Sequence, residues 1–137
     1  MSSLFKGRGV MGGRVVGRAL VSRLPISGWS GLDEKTGLII EKGHPFEGRS
    51  IKDHILVLSG GKGSNGWSIH FHAAKVRNIG PAGLILPRLD SRLAVTVTVL
   101  GIPTIVGLEE DPFEVIAMDS LLEIDADRGL VSILDEN

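Results

Sequence analysis

Residues 55–86 read ILVLSGGKGSNGWSIHFHAAKVRNIGPAGLIL, and this stretch decides the fold. It begins with a run of apolar residues at 55–58, which is typical of a strand covered on both faces. A glycine-rich loop follows at 59–66, and apolar residues then recur at helical spacing over 67–78. A second apolar strand at 82–86 comes after the helix. This order of strand, loop, helix and strand predicts one unit of a parallel sheet.

The residues that follow extend the sheet. Gly80-Pro81 ends the first helix, because glycine fits just past a helix and proline prevents its continuation. A short helix is predicted over 91–100, capped by Asp90 or Ser91, although its β-branched residues also favour strands. Residues 103–106 form a third apolar strand. Three strands separated by crossover segments favour a small parallel sheet with right-handed connections.

The rest of the chain predicts antiparallel strands. The N-terminal region is rich in glycine and contains an alternating run at 14–21, typical of a half-buried strand, and a short strand is expected at 36–40 after a polar turn. Residues 121–124 and 130–134 form a plausible hairpin. The N-terminal strands are expected to form a second, mostly antiparallel layer. The prediction is therefore an α/β fold, a three-layer β/β/α domain that comprises residues 1–137.

Composition excludes several classes of function. The 137 residues carry a net charge of −1, which gives no electrostatic footprint for nucleic acid or an anionic membrane. There is no cysteine, which excludes disulfides, thiol catalysis and thiolate-held iron–sulfur or zinc sites on this chain. His70 and His72 point to opposite sides of the predicted helix, so no metal site is expected. The longest apolar stretch, 93–108, is short and broken for a membrane helix, and we expect a soluble, cytoplasmic protein.

The glycine loop is the most informative motif for function. It leaves a buried strand and enters a helix, so its amide groups and the helix dipole can face an anion. The order Gly61-Lys62-Gly63-Ser64 differs from a phosphate-binding P-loop, in which the lysine directly precedes Ser or Thr. An alternative remains open at this point: Ser64 or Asn65 acts simply as the N-cap of the helix.

A chemical role for Ser64 requires activation of its hydroxyl. Nearby amides, a helix N-terminus or a cation such as Lys62 can favour the alkoxide. The sequence shows no recognisable His–Asp pair that would act as its activator, although the fold could bring His44 or His54 near. A hydrolase-type triad is therefore only weakly indicated.

Short motifs spread over residues 8–135 resemble one known family. They are Trp29-Ser30-Gly31-Leu32-Asp33, Thr36-Gly37, His44-Pro45, Gly48, Gly61-Lys62-Gly63-Ser64, Ser68 and Gly101-Ile102-Pro103. Together they resemble the small subunit of aconitase X, whose members look like the detached mobile domain of aconitases, a β/β/α swivelling fold. This chain departs from the usual family pattern at Ser30, Asn65 and Trp67.

The resemblance implies a function and a partner. It identifies Ser64 as the base that abstracts a proton, with Lys62, Gly63 and Asn65 as substrate-binding residues. It also implies a hydro-lyase (dehydratase) in which a large subunit holds the iron–sulfur cluster, so this chain carries no cofactor and is inactive without that subunit. Substrates known for the family are 5-phosphomevalonate and cis-3-hydroxy-L-proline, and the sequence does not choose between these small hydroxy acids.

Two alternatives belong to other functional classes. Residues 91–107 also resemble the end of phosphohistidine swivelling domains, but Arg92 stands where those domains have the phosphorylated histidine. A phosphotransfer-like swivelling domain is one alternative on this basis. A non-catalytic regulatory or assembly subunit is the other.

Overall fold

The computed structural model describes residues 3–24, 26–27, 31–33, 35–59, 61–62, 72–89 and 91–134. The strands are β1 (Ser3–Lys6), β2 (Arg8–Met11), β3 (Arg14–Ser22), β4 (Ile26–Ser27), β5 (Ile55–Leu58), β6 (Gly61–Lys62), β7 (Gly83–Leu86), β8 (Thr104–Val106), β9 (Leu121–Asp125) and β10 (Leu130–Ile133). The helices are α1, described over 72–76, α2 (Ser91–Leu100) and α3 (Pro112–Val115).

One mixed sheet dominates the fold, with the strand order β1-β10-β9-β3-β5-β7-β8-β2. The strands β3, β5, β7 and β8 are parallel to their neighbours in this run, as the crossover pattern predicts. The remaining neighbours pair antiparallel. β1 and β2 lie at opposite ends of this order but are joined through Gly7 alone. The sheet therefore curls into a near-barrel.

Close backbone approaches allow the two ends of the sheet to meet. Gly7 N donates to Gly129 O at 2.8 Å, which ties the β1–β2 connection to the β9–β10 turn. Gly9 passes the same turn so closely that a Cβ there would lie 1.8 Å from Ala126 O. Glycine is required at this position because any side chain would collide with backbone.

The core has two parts, one on each face of the parallel strands. In β5, Ile55 and Val57 pack inside the near-barrel, whereas Leu56 and Leu58 pack on its outer side against α1, α2 and the 31–51 segment. All of β5 is buried, which confirms the prediction of a strand covered on both faces. The β9 and β10 strands alternate between buried and half-exposed residues because they have only one covered face. The three layers of the predicted β/β/α fold are these two halves of the sheet and the helices.

Helix α2 forms as predicted despite its β-branched residues. Gly101 adopts φ 62° and donates to Val97 O at 2.9 Å, which closes the last turn of the helix. Leu93, Val97 and Leu100 are buried against the sheet, and this packing outweighs the weak helix propensity of the β-branched residues.

The predicted end of the first helix was wrong in detail. Asn78, with φ 61°, takes the left-handed position that Gly80 was expected to supply. Ile79 N donates to Ala74 O at 3.0 Å and Asn78 N to Lys75 O at 2.9 Å, which is the Schellman arrangement. Asparagine tolerates this conformation better than most residues do. Residues 67–71 of the predicted helix lie outside the described residues.

Two other expectations need correction. Among the described residues, the predicted strand at 36–40 makes only isolated bridges, and these go to three different positions, Leu32, Glu47 and Ser50. The antiparallel layer is built mainly from the C-terminal hairpin, which lies between β1 and β3, whereas β2 pairs with β8 at the edge of the parallel strands. Sequence order did not reveal that β1 and β2 separate to opposite ends of the sheet.

Candidate functional site

The predicted loop leaves the carboxyl edge of the parallel strands. β3 and β5 end side by side, with Ser22 opposite Leu58, so the segments that follow both strands emerge at this edge. Ligands of α/β sheets commonly bind at the carboxyl ends of strands. Lys62 is in β6, just beyond this edge, while Gly63, Ser64 and Asn65 lie outside the described residues.

A small second sheet joins the two segments that leave this edge. Ile26 pairs with Gly61 and Ser27 with Lys62, so β4 and β6 run parallel beyond the ends of β3 and β5. Ser59 Oγ donates to Arg23 O at 2.6 Å, a short hydrogen bond that joins the same segments one step earlier. The entrance to the glycine loop is therefore fixed at two points. Sequence reasoning missed Ser59, because its position at the start of the loop was the only signal and did not indicate a contact with Arg23.

Arg23 is itself held in place by α3. Its Nη2 lies 2.8 Å from Glu114 Oε1 and 3.3 Å from Asp111 Oδ2, and its guanidinium stacks 5.0 Å from the centroid of the Phe113 ring. Exposed pairs of this kind add little stability, but together they restrict where the Arg23 side chain lies. The residue whose carbonyl accepts from Ser59 is thus anchored on its other side.

His44 supports the β4 segment and is not available as a base. Its side chain is buried, with 5% of its surface exposed. Nδ1 accepts from Phe46 N at 3.0 Å, so the proton lies on Nε2, which donates to Leu24 O at 3.1 Å. Both ring nitrogens of His44 are therefore committed to backbone groups. His54 precedes β5 and lies at the opposite edge of the sheet, where its Nδ1 is 2.7 Å from Lys52 O.

Asp33 and the described residues 35–37 contribute to a turn. Lys35 N donates to Asp33 Oδ1 at 2.9 Å and Gly37 N to Asp33 O at 2.8 Å. The Lys35 N–H lowers the pKa of Asp33 below its ordinary value. Gly37 has φ 78°, and a Cβ there would lie 2.9 Å from Ile79 O, so glycine lets the turn pack beside the end of α1. The described contacts of this motif are structural.

The donors on this chain do not fit an iron–sulfur cluster. The sequence has no cysteine. Among the residues that the structure describes, no group of three histidine or acidic side chains is placed to hold a metal ion. His72 is exposed on α1, and His70 lies outside the described residues. In the described part of the chain, no helix has the length and apolar character needed to span a membrane.

The near-barrel sheet, the outer helices and a glycine loop at the carboxyl edge define a swivelling domain of the aconitase type. A family model, the aconitase X swivel domain, matches residues 4–133. The chain belongs to this family.

Similar proteins extend this assignment along nearly the whole chain. The phosphomevalonate dehydratase small subunit of Methanocella arvoryzae is 35% identical over 129 residues, covering 94% of this chain and 98% of that protein. The protein of the same name from Thermococcus sibiricus is 34% identical over 129 residues, covering 94% and 97%. The crystal structure of Thermococcus kodakaraensis aconitase X in its holo form matches with a TM-score of 0.88 and 32% identity, covering 97% of this chain and 99% of that chain.

Proposed function

We propose that this chain is the small subunit of a cytoplasmic phosphomevalonate dehydratase of the aconitase X type, with residues 1–137 forming one swivel domain. The observation that carries the proposal is nearly full-length similarity to proteins named as that small subunit, at 34% and 35% identity. Their name favours 5-phosphomevalonate over cis-3-hydroxy-L-proline as the substrate. The anchored entrance of the glycine loop supports a site at the carboxyl edge of the parallel strands.

In this proposal Ser64 is the base of the dehydration. Its alkoxide takes the proton from the carbon beside the substrate carboxylate, and the electrons of that C–H bond form the new double bond while the hydroxyl on the next carbon departs. The departing hydroxide takes a proton from solvent to become water, and the serine returns its proton to solvent. An alkoxide needs nearby positive charge or donors, which Lys62 and the loop amides would supply. Gly63 allows close approach of the substrate, and Asn65 binds it.

The partner is a large subunit that carries the iron–sulfur cluster, and the active enzyme is a heterodimer. The support for this is chemical, because a chain without cysteine offers no thiolate to a cluster. The words "small subunit" in the names of the relatives also support a larger partner. We expect this chain to show no dehydratase activity when it is purified alone.

The test is to produce the chain together with the large subunit from its native host under anaerobic conditions. Dehydration of 5-phosphomevalonate is then followed by mass spectrometry of the product, with cis-3-hydroxy-L-proline as the comparison substrate. Ser64→Ala should lower turnover by about 10²–10⁴-fold, the usual contribution of a general base, and leave the complex intact. Asn65→Ala also removes a candidate N-cap but leaves the base in place, so it should raise KM through the lost substrate contact and lower kcat far less than Ser64→Ala does.

Two results would contradict the proposal. Near-normal turnover by a folded Ser64→Ala complex would show that Ser64 is not the base, and its remaining role would be that of a helix N-cap. Turnover of cis-3-hydroxy-L-proline alone, with none of 5-phosphomevalonate, would reject 5-phosphomevalonate as the substrate.

Lys62→Ala should lower turnover less than Ser64→Ala does, because the lysine acts on the charge of the serine or the substrate and takes no proton itself.

A further inference from the structure

A second feature of the carboxyl edge lies beside β7 and β8. A cavity of about 360 Å³ opens there, within the size range of small-molecule sites. Its wall includes Arg88, shortly after β7, and Gly107, directly after β8. Lys6 and Arg8, on either side of the β1–β2 connection, form another part of the wall. We call this feature the basic cavity.

The charge of the basic cavity is opposite in sign to that of the chain. Lys6, Arg8 and Arg88 contribute three cations and Glu109 one acid, whereas the whole chain carries −1. Within the described residues, none of the three cations lies within ion-pair distance of a carboxylate. Arg14, by contrast, binds Glu123 at 3.0 Å. The cations of the basic cavity therefore have no acidic partner in the described part of the chain.

Backbone hydrogen bonds hold the walls of the basic cavity and do not involve its cationic side chains. Glu109 N donates to Lys6 O at 2.8 Å and Gly107 N to Leu86 O at 3.2 Å. Gly107 has φ 63°, a conformation that glycine adopts without strain. The backbone that carries the three cations is therefore held by hydrogen bonds. Binding an anion requires an ordering of their side chains alone.

We propose that the basic cavity binds the phosphate group of a phosphate monoester. A phosphate monoester carries about −1.5 to −2 charges at neutral pH and three strong acceptor oxygens. Arginine guanidinium groups bind such oxygens in pairs, and two arginines with a lysine match both the charge and the number of acceptors. A carboxylate carries a single charge and would leave part of the excess positive charge uncompensated.

The phosphate monoester that binds in the basic cavity can come from two sources, which present the same phosphate group. The basic cavity shares the carboxyl edge with the glycine loop, and β8 is two strands away from β5, about 10 Å at ordinary strand spacing. The phosphate can belong to the substrate of the proposed reaction or to a separate phosphorylated ligand. Only the first source rests on the proposed function.

The binding test uses the full chain and inorganic phosphate at constant ionic strength. Amide shifts of residues 6–8 and 106–109 are followed by NMR, with acetate as the comparison anion. We expect saturable binding of phosphate that is tighter than that of acetate. Arg8→Gln and Arg88→Gln should each weaken it about tenfold, the scale of one charge-assisted hydrogen bond, and Glu109→Gln should strengthen it. Arg77→Gln is the control, since Arg77 is exposed beside α1 and does not line the basic cavity.

Shifts that do not saturate, or equal affinities in the wild type and in folded Arg8→Gln, Arg88→Gln and Glu109→Gln, would overturn the proposal. The source of the phosphate is then found with the reconstituted complex. A raised KM for 5-phosphomevalonate in Arg88→Gln at similar kcat assigns the phosphate to the substrate, and an unchanged KM assigns it to a separate ligand. An inactive wild-type complex that still binds phosphate would reject the proposed function but support the basic cavity.

Discussion

The two edges of the parallel strands are built differently. At the amino edge, charged side chains are paired inside the chain: Arg49 binds Asp119, and Lys75 Nζ donates to the Leu100 carbonyl at the end of α2. At the carboxyl edge, Ser59 and His44 bind backbone carbonyls around the loop entrance, and the cations of the basic cavity have no described acidic partner. The described contacts stabilise the fold at both edges, and those of the carboxyl edge also fix the entrance to the glycine loop.

The strongest test of this difference is the buried histidine at the carboxyl edge. His44→Ala leaves the buried Phe46 N–H without its acceptor and removes one of two donors to the Leu24 carbonyl, which keeps the Ser22 hydroxyl at 3.2 Å. We expect a loss of about 1–3 kcal/mol in the free energy of unfolding, the usual cost of one unsatisfied buried group. Chemical denaturation measures it.

The control for this change is His72→Ala, because His72 is exposed on α1. It should change the free energy of unfolding by less than about 0.5 kcal/mol. Equal effects of the two substitutions would show that the contacts of His44 do not support the β4 segment.

Removing the hydroxyl of Ser59 tests whether the loop entrance matters for turnover. Ser59→Ala deletes the 2.6 Å hydrogen bond to Arg23 O but leaves no buried polar group unpaired. The free energy of unfolding should therefore fall by no more than about 1 kcal/mol. If the bond positions the loop, kcat of the reconstituted complex should fall about tenfold with KM nearly unchanged, and Ser59→Thr should restore most of it.

Thr98→Ala provides the comparison for Ser59. It deletes another exposed hydroxyl bond, from Thr98 Oγ1 to Ala94 O at 2.8 Å within α2, away from the loop. Turnover should stay at the wild-type level. A similar fall in kcat in both variants would assign the effect of Ser59→Ala to general loosening of the domain.

The smallest expected effect is at the amino edge, where Arg49 binds Asp119. The hydrogen bond from the Arg49 guanidinium holds the pKa of Asp119 below its ordinary value, so this carboxylate stabilises the fold above the unfolded pKa near 4. The stabilisation is lost as the pH falls through the lower, folded pKa. Both side chains are about half exposed, and solvent screening keeps the contribution below about 1 kcal/mol.

Asp119→Asn is the suitable variant, because asparagine tolerates the φ of 66° at this position. Thermal unfolding at pH 7 should show a small loss of stability, and the difference from the wild type should shrink below about pH 4 and vanish below the folded pKa of Asp119. A difference that persists at low pH would mean that the charge of Asp119 is not its source. Turnover should be unaffected, in contrast to Ser59→Ala.

Much of the fold is predictable from the sequence because its signals are local. The apolar runs of β5, β7 and β8 mark strands covered on both faces, and the hairpin of β9 and β10 alternates as a half-buried pair does. The end of α1 was predicted less well, since Asn78 and Gly80 both suit a left-handed turn and only packing of Ile79 selects between them.

The candidate site was predictable only in part. The glycine loop and Ser64 were found from composition and family resemblance, whereas Ser59, Arg23 and His44 acquire their roles through contacts with distant segments. A serine at the start of a loop carries no sign of the carbonyl it will bind. The tertiary partner, in each case, comes from another strand or helix.

The sequence by itself determined the order of strands and helices, the glycine loop and the lack of thiolate ligands, since each depends on residues that are close together or on composition alone. The tertiary structure decided that β1 and β2 separate to opposite ends of the sheet, which brings Lys6 and Arg8 beside Arg88. The physical reason is that strand pairing is settled by competition among distant segments for the same backbone hydrogen bonds and buried faces. A local pattern does not contain the outcome of that competition.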